Sequence, residues 1–83
     1  MKTEWFVYVL KSLRDGKLYI GISMDPERRL QEHNKGKTKS TKSRRPFKLI
    51  YREKCGTLEK ARSLEKYYKT GFGREKLKEL IPR

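Results

Sequence analysis

Tyr8, Tyr19, Arg29 and Glu65 are the side chains whose types and spacing could do chemistry together. A phenol can pass a proton, a guanidinium can stabilise charge gathering on an oxyanion, and a carboxylate can hold a divalent cation that acts as a Lewis acid. Those are the ingredients for hydrolysing a phosphate ester. Taken singly, none of them compels that reading, because tyrosine is common in strands, where its ring packs and its hydroxyl finds water. Glu65 lies at the edge of a helical stripe formed by Leu58, Ala61, Leu64 and Tyr68. Burying a lone charge is costly, so this carboxylate should meet a cation. An arginine or a divalent metal would serve; the plainer structural alternatives are a pair with Arg62 or Lys69, or simple exposure to water.

The elements that must position these groups can be read from pattern. Residues 5–10 and 18–22 are rich in aromatic and β-branched types, and Asp15-Gly16 between them is a strong hairpin signal, so two antiparallel strands are expected. A two-residue turn at Asp15-Gly16 pairs Tyr8 with Ser23 and Leu10 with Gly21. Strand alternation then places Tyr8, Tyr19, Gly21 and Ser23 on one side, a parity that a three-residue turn would destroy. Gly21 clears space there for a close approach by backbone or ligand. Asp25-Pro26 reads as an N-cap and first helical position, opening a helix over residues 26–35 that Gly36 ends. Only Leu30 in that helix is core-forming, far short of a usual apolar stripe, so packing alone does not explain it. Arg29 and His33 share the face beside Leu30, which sets Arg29 against the sheet. Arg28 reads as solvated, and His33 taken alone as a surface or capping residue.

Residues 35–45 carry Lys35, Lys37, Lys39, Lys42, Arg44 and Arg45, with no acid and no large apolar side chain, and read as a basic loop unable to support packing. If all of these charges sit on duplex phosphates, log affinity against log salt has a slope of about −5. Residues 47–52 read as a third strand, and Gly56-Thr57 caps a helix running through Lys69. Gly71-Phe72-Gly73 breaks that helix, and a last helical turn or two with Leu77, Leu80 and Ile81 closes the chain. The order ββαβαα predicts an α+β fold: a small three-stranded, mainly antiparallel sheet flanked by helices, in a single domain over residues 1–83.

Composition narrows the partners. Of 83 residues 34% are hydrophobic, so the core must be thin, while 23 lysines and arginines against 10 acids leave a net charge of +13. Solubility alone asks for roughly 2 to 8 charges in a small domain, so a polyanion, nucleic acid, is the expected partner. The single cysteine, Cys55, excludes an internal disulfide, and the apolar stretch at residues 5–10 is too short for a signal segment or a membrane span. A cytoplasmic protein with no membrane partner is expected.

These residues line up with a known family: the chain resembles a GIY-YIG nuclease domain over nearly its whole length. Val7-Tyr8-Val9 stands where the family has Gly-Ile-Tyr, and Tyr19-Ile20-Gly21 matches the second motif outright. Arg29 in Asp-Pro-Glu-Arg-Arg-Leu and Glu65 in Ser-Leu-Glu-Lys fall where the family has its arginine and its metal ligand. The closest likeness is to small stand-alone bacterial members and to the N-terminal domain of excision-repair nucleases. The resemblance implies an endonuclease that cuts a phosphodiester, in DNA rather than RNA, with Mg²⁺ or Mn²⁺ held by Glu65 and completed by waters and the phosphate. It implies that Tyr19, assisted by Tyr8, activates the attacking water, that Arg29 stabilises the phosphorus oxygens, and that His33 supports proton transfer or touches phosphate. A phenol titrates near 10, so nearby cations must favour its phenolate or the metal must share the work.

The first motif lacks its glycine, and Ile22 follows Gly21 where some repair-associated members carry a lysine; both departures bear on catalytic efficiency more than on fold. With no recognition module in the sequence, substrate preference would come from a protein partner, from a dimer, or from nothing at all, while the loop at residues 35–45 grips phosphates without reading bases. The competing expectation is a basic nucleic-acid-binding protein, such as a ribosome-associated one, that keeps the nuclease fold and cuts poorly or not at all. A protein-interaction adaptor has only exposed aromatics such as Tyr67 and Phe72 in its favour.

Overall fold

Val7, Tyr8, Val9 and Leu10 are each at most 1% exposed. A strand buried on both faces reads as a continuous apolar run, not an alternation, and this one lies at the middle of the sheet. In the computed structural model, which describes residues 3–81, β1 (Trp5–Ser12) is flanked by β2 (Leu18–Ser23) and β3 (Phe47–Gly56), both antiparallel to it, in the order β2-β1-β3. The remaining elements are α1 (Pro26–Asn34), a 3-10 turn (Lys42–Arg44), α2 (Leu58–Tyr68) and α3 (Gly71–Leu80). The α+β class and the order ββαβαα are as the sequence predicts.

The sheet has a helical layer on each face. Tyr8, Leu10 and Phe47 pack with Tyr19, Leu30 and Leu49 on the α1 side. Val7, Val9 and Ile20 pack with Tyr68, Leu77 and Leu64 on the side of α2 and α3.

The hairpin loop is longer than a two-residue turn. Ser12 donates its N–H to the Lys17 carbonyl at 2.9 Å, and Gly16, at φ 75°, donates to the Ser12 carbonyl. The Ser12 hydroxyl accepts the N–H groups of Arg14 and Asp15, and the Asp15 carboxylate accepts that of Lys17 at 2.9 Å. Polar side chains thus organise the wider loop by taking its backbone donors. The register moves with it, so Tyr8 faces Gly21 and Leu10 faces Tyr19, and Ser23 faces Phe6. The move is by an even number of residues, so Tyr8, Tyr19, Gly21 and Ser23 still share one side.

Helix α1 starts as its cap predicts, with the Asp25 side chain accepting the Arg28 N–H. Its want of apolar side chains is met by polar attachment. The Asn34 side chain donates to the Phe47 carbonyl at 3.0 Å and accepts the Phe47 N–H at 2.7 Å, tying the end of α1 to the start of β3. Residues 35–45 are not the unpacked loop their composition predicts: Thr41 is buried, and the Ser12 hydroxyl donates to the Arg44 carbonyl at 2.6 Å.

Strand β3 runs past Arg52 to Gly56 because its polar positions find partners. Glu53 accepts hydrogen bonds from the hydroxyls of Tyr51, at 2.8 Å, and Tyr68, at 2.6 Å. Burial and that carboxylate push the Tyr51 phenol up to about 12, and the Tyr68 phenol is also raised, by burial first and Glu53 next. At Gly71-Phe72-Gly73 the chain starts α3 instead of breaking. Thr70 caps it by accepting the Gly73 N–H, and a Cβ on Gly73 would lie 1.7 Å from the Tyr67 carbonyl oxygen. Glycine there admits the tight turn from α2 into α3.

Candidate nuclease site

Tyr8 from β1, Tyr19 from β2, and Arg29 and His33 from α1 meet over the α1 face of the sheet. The space above Gly21 is not open to a ligand, as the strand pattern implies, but filled by Tyr8 itself. An ideal Cβ on Gly21 would lie 2.6 Å from both Cζ and Oη of Tyr8. The missing side chain lets the central tyrosine lay its ring across the edge strand. Tyr8 and Tyr19 have ring centroids 6.3 Å apart, and Tyr19 and His33 4.7 Å. Tyr8 is buried, whereas Tyr19 is half-buried and keeps contact with solvent.

His33 is no surface residue: it is 0% exposed. Its Nε2 lies 3.3 Å from the Tyr8 hydroxyl and its Nδ1 2.8 Å from the Thr41 hydroxyl. Burial lowers the imidazole pKa, and the nearby Arg29 charge lowers it further, so the ring is held neutral. Burial raises the Tyr8 phenol, while the Arg29 guanidinium against its hydroxyl works the other way and favours the phenolate. Contact with Tyr8 in turn holds Arg29 more firmly protonated.

Arg29 is aimed by Glu32, whose carboxylate pairs with both Arg29 and, at 3.3 Å, the largely exposed Arg28. Arg29 keeps the Glu32 carboxyl below the usual range. Glu32 and Thr41 were not singled out from the sequence. The i,i+3 and i,i+4 spacing of Glu32 to the arginines was a readable signal; Thr41, in a basic polar loop, offered none.

Glu65 comes from the other helical layer. Helix α2 packs beside the edge strand β2 as well as β1, and the Glu65 charge is the weakest of the influences on the Tyr8 phenol, acting to raise it. Its side chain is 24% exposed and pairs with Lys69 at 3.4 Å. The described residues contain no group of three His, Cys, Asp or Glu side chains able to hold a metal. A divalent cation here would therefore rest on one carboxylate, a donor set that suits Mg²⁺, which keeps several of its waters. The residues fit such an ion.

The charged loop divides. Lys35, Lys37, Lys39 and Lys42 are exposed. Arg44 pairs with Asp15 at 3.2 Å and lies over the Phe47 ring, and Arg45 donates to the Lys42 carbonyl at 2.8 Å. Both arginines brace the loop. Two clefts lie away from Tyr8 and Tyr19: one of about 760 Å³ runs between the hairpin loop and α3, and one of about 680 Å³ between β3 and α2.

A sheet of this order with two tyrosines on one face, an arginine on the following helix and a glutamate on the next defines a GIY-YIG catalytic domain. The model of that domain matches residues 4–78, and the chain belongs to this nuclease family. It is 42% identical over 77 residues to a UPF0213 protein of Staphylococcus saprophyticus, covering 92% of each chain. It is 46% identical over 70 residues to one of Streptococcus pneumoniae, covering 83% of this chain and 70% of the relative. The solution structure of a UPF0213 protein from Bacillus halodurans superposes with a TM-score of 0.56 at 32% identity, over 93% of this chain and 84% of that one. No described helix is long and apolar enough to cross a membrane.

Because His33 is the sole histidine, its depressed pKa makes a clean prediction. As pH falls from 7 the unfolded chain takes up a proton near 6.5 while the folded imidazole stays neutral. Stability should therefore fall with pH below about 6.5, by at most about 1.4 kcal/mol per pH unit, down to the folded pKa. Denaturant titrations between pH 7 and 5 should show this slope, and His33→Gln should remove it; an imidazole NMR titration with a midpoint at or above 6.5 would contradict it.

Proposed function

We propose that this chain is a metal-dependent endonuclease that hydrolyses phosphodiester bonds, with DNA favoured over RNA by its family. The observation that carries the reading is the arrangement around Tyr8: a buried phenol held by a buried imidazole, with the Tyr19 ring beside both and the Arg29 charge acting on its hydroxyl. A protein that only grips phosphates needs exposed cations and has no use for that construction.

In this reading Tyr19, the phenol in contact with solvent, meets the attacking water, and Tyr8 supports it from below. Arg29, braced by Glu32, stabilises charge on the phosphorus oxygens as the bond breaks. Glu65 would hold Mg²⁺ or Mn²⁺, which when bound supplies Lewis-acid stabilisation of the phosphate and the leaving oxygen. The exposed lysines of the loop seat the flanking backbone.

The test is incubation of the purified protein with labelled single-stranded, duplex and branched DNA and RNA, with and without Mn²⁺. Metal-dependent cleavage of any member supports the nuclease. Tight binding to all with cleavage of none supports the non-catalytic binding protein. Since Arg44 and Arg45 are taken up internally, the four exposed loop lysines set the salt dependence, and the slope of log affinity against log salt should be about −3.6. A slope near zero in a salt titration would remove nucleic acid as the partner.

A further inference from the structure

The relay behind Tyr8 has two ways to place its protons, and the hydrogen bonds select between them. In one, His33 carries its proton on Nδ1 and donates it to the Thr41 hydroxyl, which donates its own to the Thr38 carbonyl at 3.3 Å; Nε2 then presents a lone pair to the Tyr8 hydroxyl. In the other, Thr41 donates to Nδ1 and Nε2–H donates to the Tyr8 oxygen. The Thr41 hydroxyl has a single proton, and it is directed at the Thr38 carbonyl, so toward Nδ1 the hydroxyl can only accept. The second arrangement breaks that bond to Thr38 and deprives the Tyr8 hydroxyl proton of the imidazole as its acceptor. Every proton finds an acceptor only in the first.

We infer that Thr41 is a positioning residue for the nuclease site: by accepting from Nδ1 it fixes His33 in the Nδ1–H tautomer, whose Nε2 lone pair accepts the hydrogen bond of the Tyr8 hydroxyl and so orients it. The inference rests on the proposed function for its consequence, but not for its geometry. It also gives the loop a second duty, because Thr41 lies in the segment that carries the exposed lysines, and the side chain that anchors this segment is the one that orders the site.

The sole histidine makes the tautomer directly readable. Two-bond ¹H–¹⁵N correlation of the uniformly labelled protein should show His33 with a protonated Nδ1 and an unprotonated Nε2 above pH 7. Thr41→Val, which keeps the shape and removes the hydroxyl, should shift the ring toward the Nε2–H tautomer and lower kcat about 10- to 100-fold, a larger change than any in affinity for uncleaved nucleic acid. Thr41→Ser should restore both the tautomer and the rate. A wild-type ring protonated on Nε2 overturns the inference, as does a Thr41→Val protein that keeps the Nδ1–H signature. If Thr41→Val does not fold, the wild-type and Thr41→Ser spectra still decide. If the wild-type protein cleaves nothing, the tautomer readings stand alone, so failure of the nuclease reading and failure of this one are told apart.

Discussion

Glu65→Gln should abolish metal-dependent cleavage, lowering kcat by about 1,000-fold or more, while binding of nucleic acid without metal stays the same or tightens slightly. Glutamine keeps the volume and loses the charge. A Lewis acid stabilises the developing charge by several kcal/mol, and each 1.4 kcal/mol is about tenfold in rate. The fold should not notice, because the ion pair lost among the described residues is the part-exposed one to Lys69 at 3.4 Å, and such i,i+4 pairs contribute only a few tenths of a kcal/mol. Thermal unfolding should confirm near-equal stability. A separate reading comes from Mn²⁺, whose paramagnetism should broaden resonances near Glu65 and around Tyr8 in the wild-type protein and not in Glu65→Gln. Cleavage that survives the substitution at the wild-type rate would mean the carboxylate holds no metal the reaction needs.

Much of the architecture was legible because local and tertiary preferences agree. Thr57 caps α2, Asp25-Pro26 opens α1, and the aromatic and β-branched runs form β1 and β2. What failed were boundaries decided by contacts between distant residues. The Tyr51–Glu53–Tyr68 bonds prolong β3 across positions too polar to read as strand. The contact of Gly73 with Tyr67 turns an expected break into the first turn of α3. Ser12 widens the hairpin by using one hydroxyl on three backbone partners, and no turn preference of Asp-Gly contains that.

The site divides along the same line. Alternation alone places Tyr8 and Tyr19 on one face, and the longer loop leaves them there because it moves the register by an even step. The anomaly of α1, a helix with almost no apolar side chains, was visible; its resolution was not. His33 and Asn34 replace an apolar stripe with specific hydrogen bonds, so the residue that composition would leave at the surface is among the most buried in the chain. Periodicity detects water-avoiding faces and is blind to a helix fastened by polar bonds.

Gly21→Ala tests how tightly backbone and chemistry are joined. Gly21 does not adopt a left-handed backbone, so alanine brings no conformational strain, only a methyl group 2.6 Å from the Tyr8 hydroxyl oxygen and ring carbon. The ring has little freedom to retreat, since it is 1% exposed and packed with Leu10 and Phe47. Moving it opens the 3.3 Å contact with His33 and separates the hydroxyl from Arg29. The expected result is a stability loss of about 1 to 3 kcal/mol from overpacking, together with a fall in kcat of about 100-fold. Tyr8→Phe should cost a similar rate by deleting the hydroxyl while sparing the fold. If Gly21 matters to the reaction only through where it lets that hydroxyl sit, the two rate penalties must not add, and the double substitution should cleave no more slowly than the worse single one. Additive penalties, each about 100-fold, would instead give Gly21 a separate part in the reaction, such as a close approach of the nucleic-acid backbone to the β2 edge.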